Sequence, residues 1–295
     1  YWQYSKNGET RFAGGLIAGG SAYLPDGDVN GGGVYVADGG TFIMEKGKII
    51  GCQADKNGGG VYVEDGGKFI MNGGEINGCV TYSGDKGGNV YVGAGAVFQM
   101  GDSARITECI ARASSGGGVY VAENGTFTMS GSSLIEGCNA RCGGGVYNAG
   151  TFTMSGSSCI RNCIYRSTTA SGGVHNARIF NLNGGSIVRS LSGHNDNKEM
   201  VDICNEGTLN ATIPVSCWVG NCSTISEGIF TGKVSNDSPG IISGGEFQGK
   251  VENCATISGG KFSIGEVQNV GHIEKGTFNV PVTNKGGTIS PLLVT

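Results

Sequence analysis

Gly116-Gly117-Gly118-Val119-Tyr120-Val121 is the stretch that decides the fold. It opens a phrase that continues through Thr126-Phe127-Thr128-Met129 to Leu134-Ile135-Glu136-Gly137-Cys138. The same opening starts at Gly31 and Gly58, and variants start at Gly87 (Gly-Gly-Asn-Val-Tyr-Val), Gly143 (Gly-Gly-Gly-Val-Tyr-Asn) and, in degraded form, Ser171 (Ser-Gly-Gly-Val-His-Asn). The spacings are 27, 29, 29, 27 and 28 residues. A fixed period of this size indicates stacked supersecondary units. The sequence therefore predicts a solenoid.

Each repeat contains three short strand signals separated by turns. The first is Val-Tyr-Val, the second is Thr-Phe-Xaa-Met, and the third is centred on an isoleucine such as Ile135. No segment of ten residues has a helical period, so strands this short return in parallel only by winding as a helix of strands. We expect an all-β right-handed parallel β-helix with about six wide coils of ~28 residues, followed by narrower coils of ~16 residues.

Three segments are predicted along the axis. Residues 1–30 form an N-terminal capping coil, 31–223 the wide β-helix, and 224–295 a narrower solenoid that continues the axis or makes a small second domain. The narrow period is set by Ile225, Ile242, Ile257, Ile273 and Ile289, at spacings of 17, 15, 16 and 16 residues. One asparagine per narrow coil is expected to form a ladder of turn residues in the left-handed conformation. These are Asn236, Asn253, Asn269 and Asn284.

Composition excludes several classes of protein. Glycine accounts for 58 of 295 residues without a three-residue period, which excludes collagen. The net charge is −4, only 15% of residues are charged, and no basic run could neutralise a nucleic-acid backbone. No apolar run reaches the ~20 residues of a membrane span. The chain begins Tyr1-Trp2-Gln3, which favours a mature product or a piece of a longer protein.

A cysteine follows the isoleucine strand at a fixed offset of three residues. The column consists of Cys52, Cys79, Cys109, Cys138 and Cys163. Stacked coils would bring these residues within reach of one another. Three interpretations stay open: a ladder of buried reduced thiols, disulfides through Cys142 or Cys159, or a metal array. No histidine accompanies the column, which disfavours the metal array.

The phrases Gly116-Gly-Gly-Val-Tyr-Val and Gly125-Thr-Phe-Thr-Met-Ser-Gly resemble repeats of bacterial secreted and surface proteins with right-handed parallel β-helices. That group shares the pectate-lyase-like superfold and includes polymorphic-outer-membrane-type and adhesin-like repeat proteins. The resemblance covers residues 31–190 well and the rest loosely. It implies an extracellular or cell-surface location. It leaves function open, because the superfold hosts lyases, hydrolases and adhesins.

The sequence offers no set of catalytic residues. Hydrolases of this superfold need converging carboxylates, and lyases need Ca²⁺-binding acids with a basic residue. His194 and His272 lack such companions, and His175 stands where the repeat has tyrosine, so it is interpreted as a variant of a structural column. A cysteine nucleophile, Cys142 or Cys159, has no supporting motif. We expect a non-catalytic module, with a polysaccharide lyase or glycoside hydrolase as the alternative.

Two candidate binding features remain. Asp26, Asp28 and Asn30 match the first half of a Ca²⁺ loop, but Ala37 stands where the closing glutamate belongs, which favours a plain polar turn. The second feature is one tyrosine per coil, at Tyr35, Tyr62, Tyr91, Tyr120 and Tyr147. If the flanking valines point inward, these rings form an outer stripe suited to a glycan or a surface protein. The competing interpretation is that tyrosine stacks on tyrosine only to stabilise the sheet surface, or that the tyrosines face inward.

Overall fold

A computed structural model describes residues 4–5, 8–22, 29–82, 86–111, 115–165, 172–188, 191–192 and 201–290. The described residues contain no helix, and every strand pairing is parallel. The prediction of an all-β parallel β-helix is confirmed, and the arrangement is consistent with right-handed winding.

Two sheets of 13 strands run the length of the described chain. Sheet A contains Tyr4–Ser5, Val34–Val36, Val61–Val63, Val90–Val92, Val119–Val121, Val146–Asn148, Val174–Asn176, Ile203–Asn205, Val219–Asn221, Val234–Asn236, Val251–Asn253, Val267–Asn269 and Val282–Asn284. Sheet B contains Glu9–Phe12, Thr41–Met44, Lys68–Met71, Val97–Met100, Thr126–Met129, Thr151–Met154, Ile179–Leu182, Thr208–Ala211, Thr224–Ile225, Ile241–Ile242, Thr256–Ile257, His272–Ile273 and Thr288–Ile289.

Three further sheets close the coils. Sheet C contains Leu16–Ala18, Lys48–Ile50, Glu75–Asn77, Arg105–Thr107, Leu134–Glu136, Cys159–Arg161 and Ser186–Val188. Sheet D contains Ser21–Ala22, Gln53–Ala54, Val80–Thr81, Ile110–Ala111, Asn139–Ala140, Ile164–Tyr165 and Leu191–Ser192. Sheet E contains Ile229–Phe230, Glu246–Phe247, Lys261–Phe262 and Thr277–Phe278. The wide coils thus have a fourth strand, in sheet D, that the sequence did not predict.

Like side chains stack on like along the core. Phe69, Phe98 and Phe127 are fully buried, and their ring centroids lie 4.9 and 4.8 Å apart. Methionine, isoleucine and valine columns are buried beside them, each in strict register from coil to coil. The period-two alternation of each strand therefore places its apolar set inside, so a linear core replaces a globular one.

Close packing accounts for the glycines that open most repeats, although Asn89 takes the third position in the repeat that starts at Gly87. Gly116 has φ +73°, which favours glycine. A Cβ on Gly118 would lie 2.7 Å from the Gly145 carbonyl oxygen and 2.9 Å from Ile135 Cγ2. The first glycine thus sets the turn, and the third lets the isoleucine column approach the backbone of sheet A.

The cysteine column is a buried file of thiols. All eleven cysteines lie in the described residues and all are free, including Cys142 and Cys159. The five thiols of the column are at most 1% exposed, and Cys109 Sγ lies 2.7 Å from Cys138 Sγ. Each thiol also faces the carbonyl two residues earlier, as Cys138 does to Glu136 at 3.5 Å. This arrangement corresponds to the interpretation of stacked reduced thiols that complete a turn.

The last position of the sheet A strands changes from valine to asparagine partway along the chain. Valine occupies it at Val36, Val63, Val92 and Val121, and asparagine at Asn148, Asn176, Asn205, Asn221, Asn236, Asn253, Asn269 and Asn284. Seven amide-to-amide hydrogen bonds of 2.7–3.0 Å join these asparagines in series. The predicted ladder therefore exists and starts earlier, at Asn148. Its predicted left-handed conformation is wrong, because these residues end strands, and none has positive φ.

Coil length changes at Ile203, inside the segment 31–223 that the sequence assigns to the wide β-helix. The equivalent residues Val174 and Ile203 are 29 apart, whereas Ile203 and Val219 are 16 apart. Sheets C and D have their last strands just before this point, and sheet E takes their place from Ile229 onward. Sheets A and B continue across the change, so the narrow coils extend the same solenoid.

Candidate functional site

The middle residues of the sheet A strands form one outward-facing column, here called the outer column. It consists of Tyr35, Tyr62, Tyr91, Tyr120, Tyr147, His175, Cys204, Gly220, Ser235, Glu252, Gln268 and Thr283. The flanking valines of the tyrosine strands are fully buried. Strand alternation then places the tyrosines outside, as the sequence predicted.

The five tyrosine rings stack on one another. Successive centroids are 5.2, 5.0, 5.5 and 5.0 Å apart, and from Tyr62 to Tyr147 the interplanar angles are only 2–4°. Both faces of Tyr62, Tyr91 and Tyr120 are therefore covered by neighbouring rings, and Tyr120 is only 7% exposed. Burial raises the pKa of Tyr91 and Tyr120. A ligand can reach these three rings by their edges, because no ring face is free.

His175 continues the tyrosine stack. Its ring lies 4.7 Å from that of Tyr147 at an interplanar angle of 6°. His175 is 5% exposed, and its Nε2 lies 3.2 Å from a carboxylate oxygen of Glu206. Burial lowers the pKa of His175, which favours the neutral imidazole. The sequence placed His175 correctly in the column but did not reveal its partner.

Cys204 and Glu206 are site residues that sequence reasoning missed. Cys204 lies directly opposite His175 on the adjacent strand of sheet A, and Glu206 is the first residue after the strand Ile203–Asn205. One ligand atom from each of the three residues lies within 4.8 Å of the others. Burial and the Glu206 charge raise the pKa of Cys204 to about 12. The available signal was Asp202-Ile203-Cys204-Asn205, a degraded Gly-Val-Tyr-Val phrase with cysteine at the tyrosine position.

A shallow depression beside the tyrosines gathers three carboxylates. It has a volume of about 490 Å³ and is lined by Asp38, Tyr62, Glu64, Asp65 and Gly66. Glu64 accepts a hydrogen bond from the Asp38 backbone N–H at 3.0 Å, and Asp65 accepts one from the Ala94 N–H at 2.8 Å. These carboxylates thus tie together turns of neighbouring coils. The lining contains no lysine or arginine.

The remaining sequence candidates lie apart from one another. Asn30 accepts hydrogen bonds from the backbone and side chain of Asn57, both at 3.1 Å, while Asp26 and Asp28 of the proposed Ca²⁺ loop lie outside the described residues. Cys142 forms a backbone bridge with Ser115 beside the glycine turn, and Cys159 lies in sheet C. His272 pairs with Thr288 and Glu274 on sheet B, and His194 is outside the described residues.

Comparison with known proteins gives no family assignment. No protein-family model, curated protein or solved structure matches the sequence. In the described part of the chain, no helix has the length and apolar character that a bilayer crossing requires.

Proposed function

We propose that this chain is a non-catalytic extracellular structural and adhesive module that presents the tyrosine part of the outer column to a glycan or a surface protein. The observation that carries the proposal is the unbroken stack from Tyr35 to Tyr147 on the outside of a 13-stranded sheet. At the ~4.8 Å strand spacing, five rings make a stripe of about 20 Å. The resemblance to secreted and surface repeat proteins supports the extracellular location.

The stacking decides how such a stripe binds. Sugar rings usually lie flat on an exposed aromatic face, but the faces of Tyr62, Tyr91 and Tyr120 are occupied. The contact available to a partner is a row of ring edges, with phenolic oxygens that both donate and accept hydrogen bonds. The register of the coils fixes the spacing of these groups before the partner arrives, which reduces the entropy lost on binding.

A polysaccharide lyase or glycoside hydrolase is the alternative function. The depression lined by Asp38, Glu64 and Asp65 favours it, because paired carboxylates are the usual catalytic groups of such enzymes. Glu64 and Asp65 already accept backbone hydrogen bonds, which favours a structural role for both.

Binding to a glycan array and to candidate surface proteins tests the proposal. The double variant Tyr91→Phe/Tyr120→Phe keeps the stack and removes two hydroxyl groups, and we expect it to bind at least tenfold more weakly. Gln268→Ala changes the same column in the narrow coils and should bind like the wild type. Equal binding by the Phe variant would contradict the edge contact. Release of sugar fragments that disappears in Asp65→Asn would instead establish the enzyme.

A further inference from the structure

The aromatic and polar parts of the outer column meet at His175 and Cys204. We propose that His175, Cys204 and Glu206 form a site for a zinc-type divalent cation. Imidazole nitrogen, thiolate sulfur and carboxylate oxygen are together the ligand set of zinc, whereas Ca²⁺ and Mg²⁺ take oxygen ligands. The site lies outside the tyrosine stripe, so the proposal does not depend on the proposed function.

The backbone brings the three ligands together. His175 and Cys204 are directly opposite one another on adjacent strands, and the Glu206 N–H donates to the Asn176 carbonyl oxygen at 2.8 Å. Beneath them, the buried amides of Asn176 and Asn205 are hydrogen-bonded at 2.9 Å. Tyr147 stacks on the histidine and fixes the plane of its ring. A site held in this way needs little rearrangement to bind an ion.

His175 is a buried ring with one polar protein partner. The residue is 95% buried, since only 5% of it is exposed, yet its Nδ1 has no hydrogen-bond partner. Buried polar side-chain atoms are rarely left in this condition. The ring meets one protein group, Glu206, at Nε2. Nε2, which faces Glu206, is therefore the ring nitrogen placed to bind the ion, while Nδ1 points away from this cluster.

The chemistry of binding is a proton exchange. Zinc binds cysteine as the thiolate, so the S–H bond of Cys204 breaks on binding. The ion takes the sulfur lone pair as the S–H proton leaves to solvent, while neutral His175 and ionised Glu206 bind without losing a proton. One proton is released for each ion bound, so affinity rises with pH. The side chain of Glu206 is 48% exposed and gives the ion a route from solvent.

Metal titration of the full chain under reducing conditions tests the site. After treatment with a chelator, we expect one equivalent of Zn²⁺ to bind and raise the melting temperature. Co²⁺ in its place should give a thiolate-to-cobalt charge-transfer absorption. No binding, or several equivalents bound without that absorption, would overturn the proposal.

Two variants and one control locate the ion. His175→Tyr restores the residue found in the preceding coils and therefore folds, and it should weaken binding at least tenfold. Cys204→Ser should abolish the charge-transfer absorption. Cys159→Ser removes a half-buried thiol on sheet C and should bind like the wild type. Wild-type binding by both His175→Tyr and Cys204→Ser, including binding that moves to other thiols, would overturn the site.

Discussion

The turn that connects sheet A to sheet B is stabilised differently after Val121, in a wide coil, and after Asn221, in a narrow coil. After Val121, four residues lead to sheet B, and the turn closes itself with a Gly125 N–H to Ala122 carbonyl bond of 3.0 Å. Asn124 supplies the left-handed residue of this turn, with φ +62°. After Asn221, only two residues intervene, and the asparagine amide itself bonds the Ser223 carbonyl oxygen at 2.8 Å. A two-residue turn is too short for its backbone N–H and C=O groups to hydrogen-bond to one another. The buried asparagine amide therefore supplies the missing hydrogen-bond partner.

The correlation covers most coils. Four-residue turns follow Val36, Val63, Val92, Val121 and Asn236, a three-residue turn follows Asn284, and two-residue turns follow Asn148, Asn176, Asn205, Asn221, Asn253 and Asn269. The tight turn and the buried amide also precede the narrowing, because Asn148 and Asn176 belong to wide coils. Each two-residue turn is preceded by the amide, but so is the four-residue turn after Asn236, so neither turn length nor the cross-section of the coil alone decides where the amide occurs.

The largest expected change in the free energy of unfolding comes from replacing a ladder asparagine of a narrow coil by the valine that occupies the same position in wide coils. Asn221→Val deprives Asn205 of its acceptor, and Asn236 and Ser223 of their donor. Each buried group left unsatisfied costs about 1–3 kcal/mol, so we expect the free energy of unfolding to fall by about 4 kcal/mol. Urea denaturation followed by circular dichroism measures the change.

A surface amide provides the matched control. Asn210 donates to Asn181 at 2.8 Å on the outside of sheet B, where water can replace the bond. Asn210→Val should change the free energy of unfolding by less than about 1 kcal/mol. A loss as small in Asn221→Val would show that the buried ladder adds nothing to the tight turn.

The second effect is an alkaline sensitivity to which the thiol column of the wide coils contributes. Burial raises the pKa of Cys109 and Cys138, and a hydrogen bond to Cys138 together with burial raises that of Cys163. Unfolded thiols ionise near pH 8.5, so above that pH the folded chain binds more protons than the unfolded chain, and stability falls as pH rises. From pH 7 to pH 9 the three thiols should lower the free energy of unfolding by about 2–3 kcal/mol.

Urea midpoints at the two pH values, under reducing conditions, measure this decrease. The triple variant Cys109→Ala/Cys138→Ala/Cys163→Ala is less stable at neutral pH because it loses core volume, but its midpoint should depend less on pH. The pH dependence is the readout, so the loss of packing does not obscure it. An unchanged dependence would place the alkaline sensitivity elsewhere in the chain.

The smallest expected change in the free energy of unfolding is for single residues of the outer column, Tyr91 in a wide coil and Gln268 in a narrow coil. Tyr91 stacks on Tyr62 and Tyr120, and aromatic pairs of this kind contribute about 0.5–1.5 kcal/mol each. Tyr91→Ala should therefore lower the free energy of unfolding by about 1–2 kcal/mol, and Tyr91→Phe by less than about 0.5 kcal/mol. Gln268→Ala, at the same column position in a narrow coil, should be nearly neutral in thermal denaturation. A neutral Tyr91→Ala would contradict a stabilising role for the stack.

Periodic features of the fold could be predicted from the sequence. The repeated Val-Tyr-Val and Thr-Phe-Xaa-Met phrases predict two sheets with phenylalanine inside, and with tyrosine outside if the flanking valines point inward. The sequence does not predict the sheet D strands, because each has only two residues and so shows no clear alternation of apolar and polar positions. A small residue such as Ala140 does recur five positions after the isoleucine in most wide coils. The sequence places the ladder asparagines in turns, whereas they end strands. An asparagine side chain that hydrogen-bonds to nearby backbone groups is favoured in both places, so the residue type does not distinguish them.

The candidate site was harder to predict. The stripe from Tyr35 to Tyr147 follows from the period of the repeat. Whether neighbouring tyrosines cover the faces of one another's rings depends on side-chain orientation, which a repeat does not specify. Cys204 and Glu206 meet His175 only because strands 29 residues apart pair in register. The 29-residue spacing matches the repeat, but the phrase is degraded to Asp202-Ile203-Cys204-Asn205, which made the register difficult to recognise.

The asparagine ladder also gives the molecule an electrical direction. In each of its seven links the amide nitrogen donates toward the C-terminal neighbour, so eight side-chain dipoles point the same way along the axis. Bonds in such a chain polarise one another. Turning one amide around would face nitrogen to nitrogen on one side and oxygen to oxygen on the other. The eight orientations are consequently set together, as a single cooperative choice made when the coils stack.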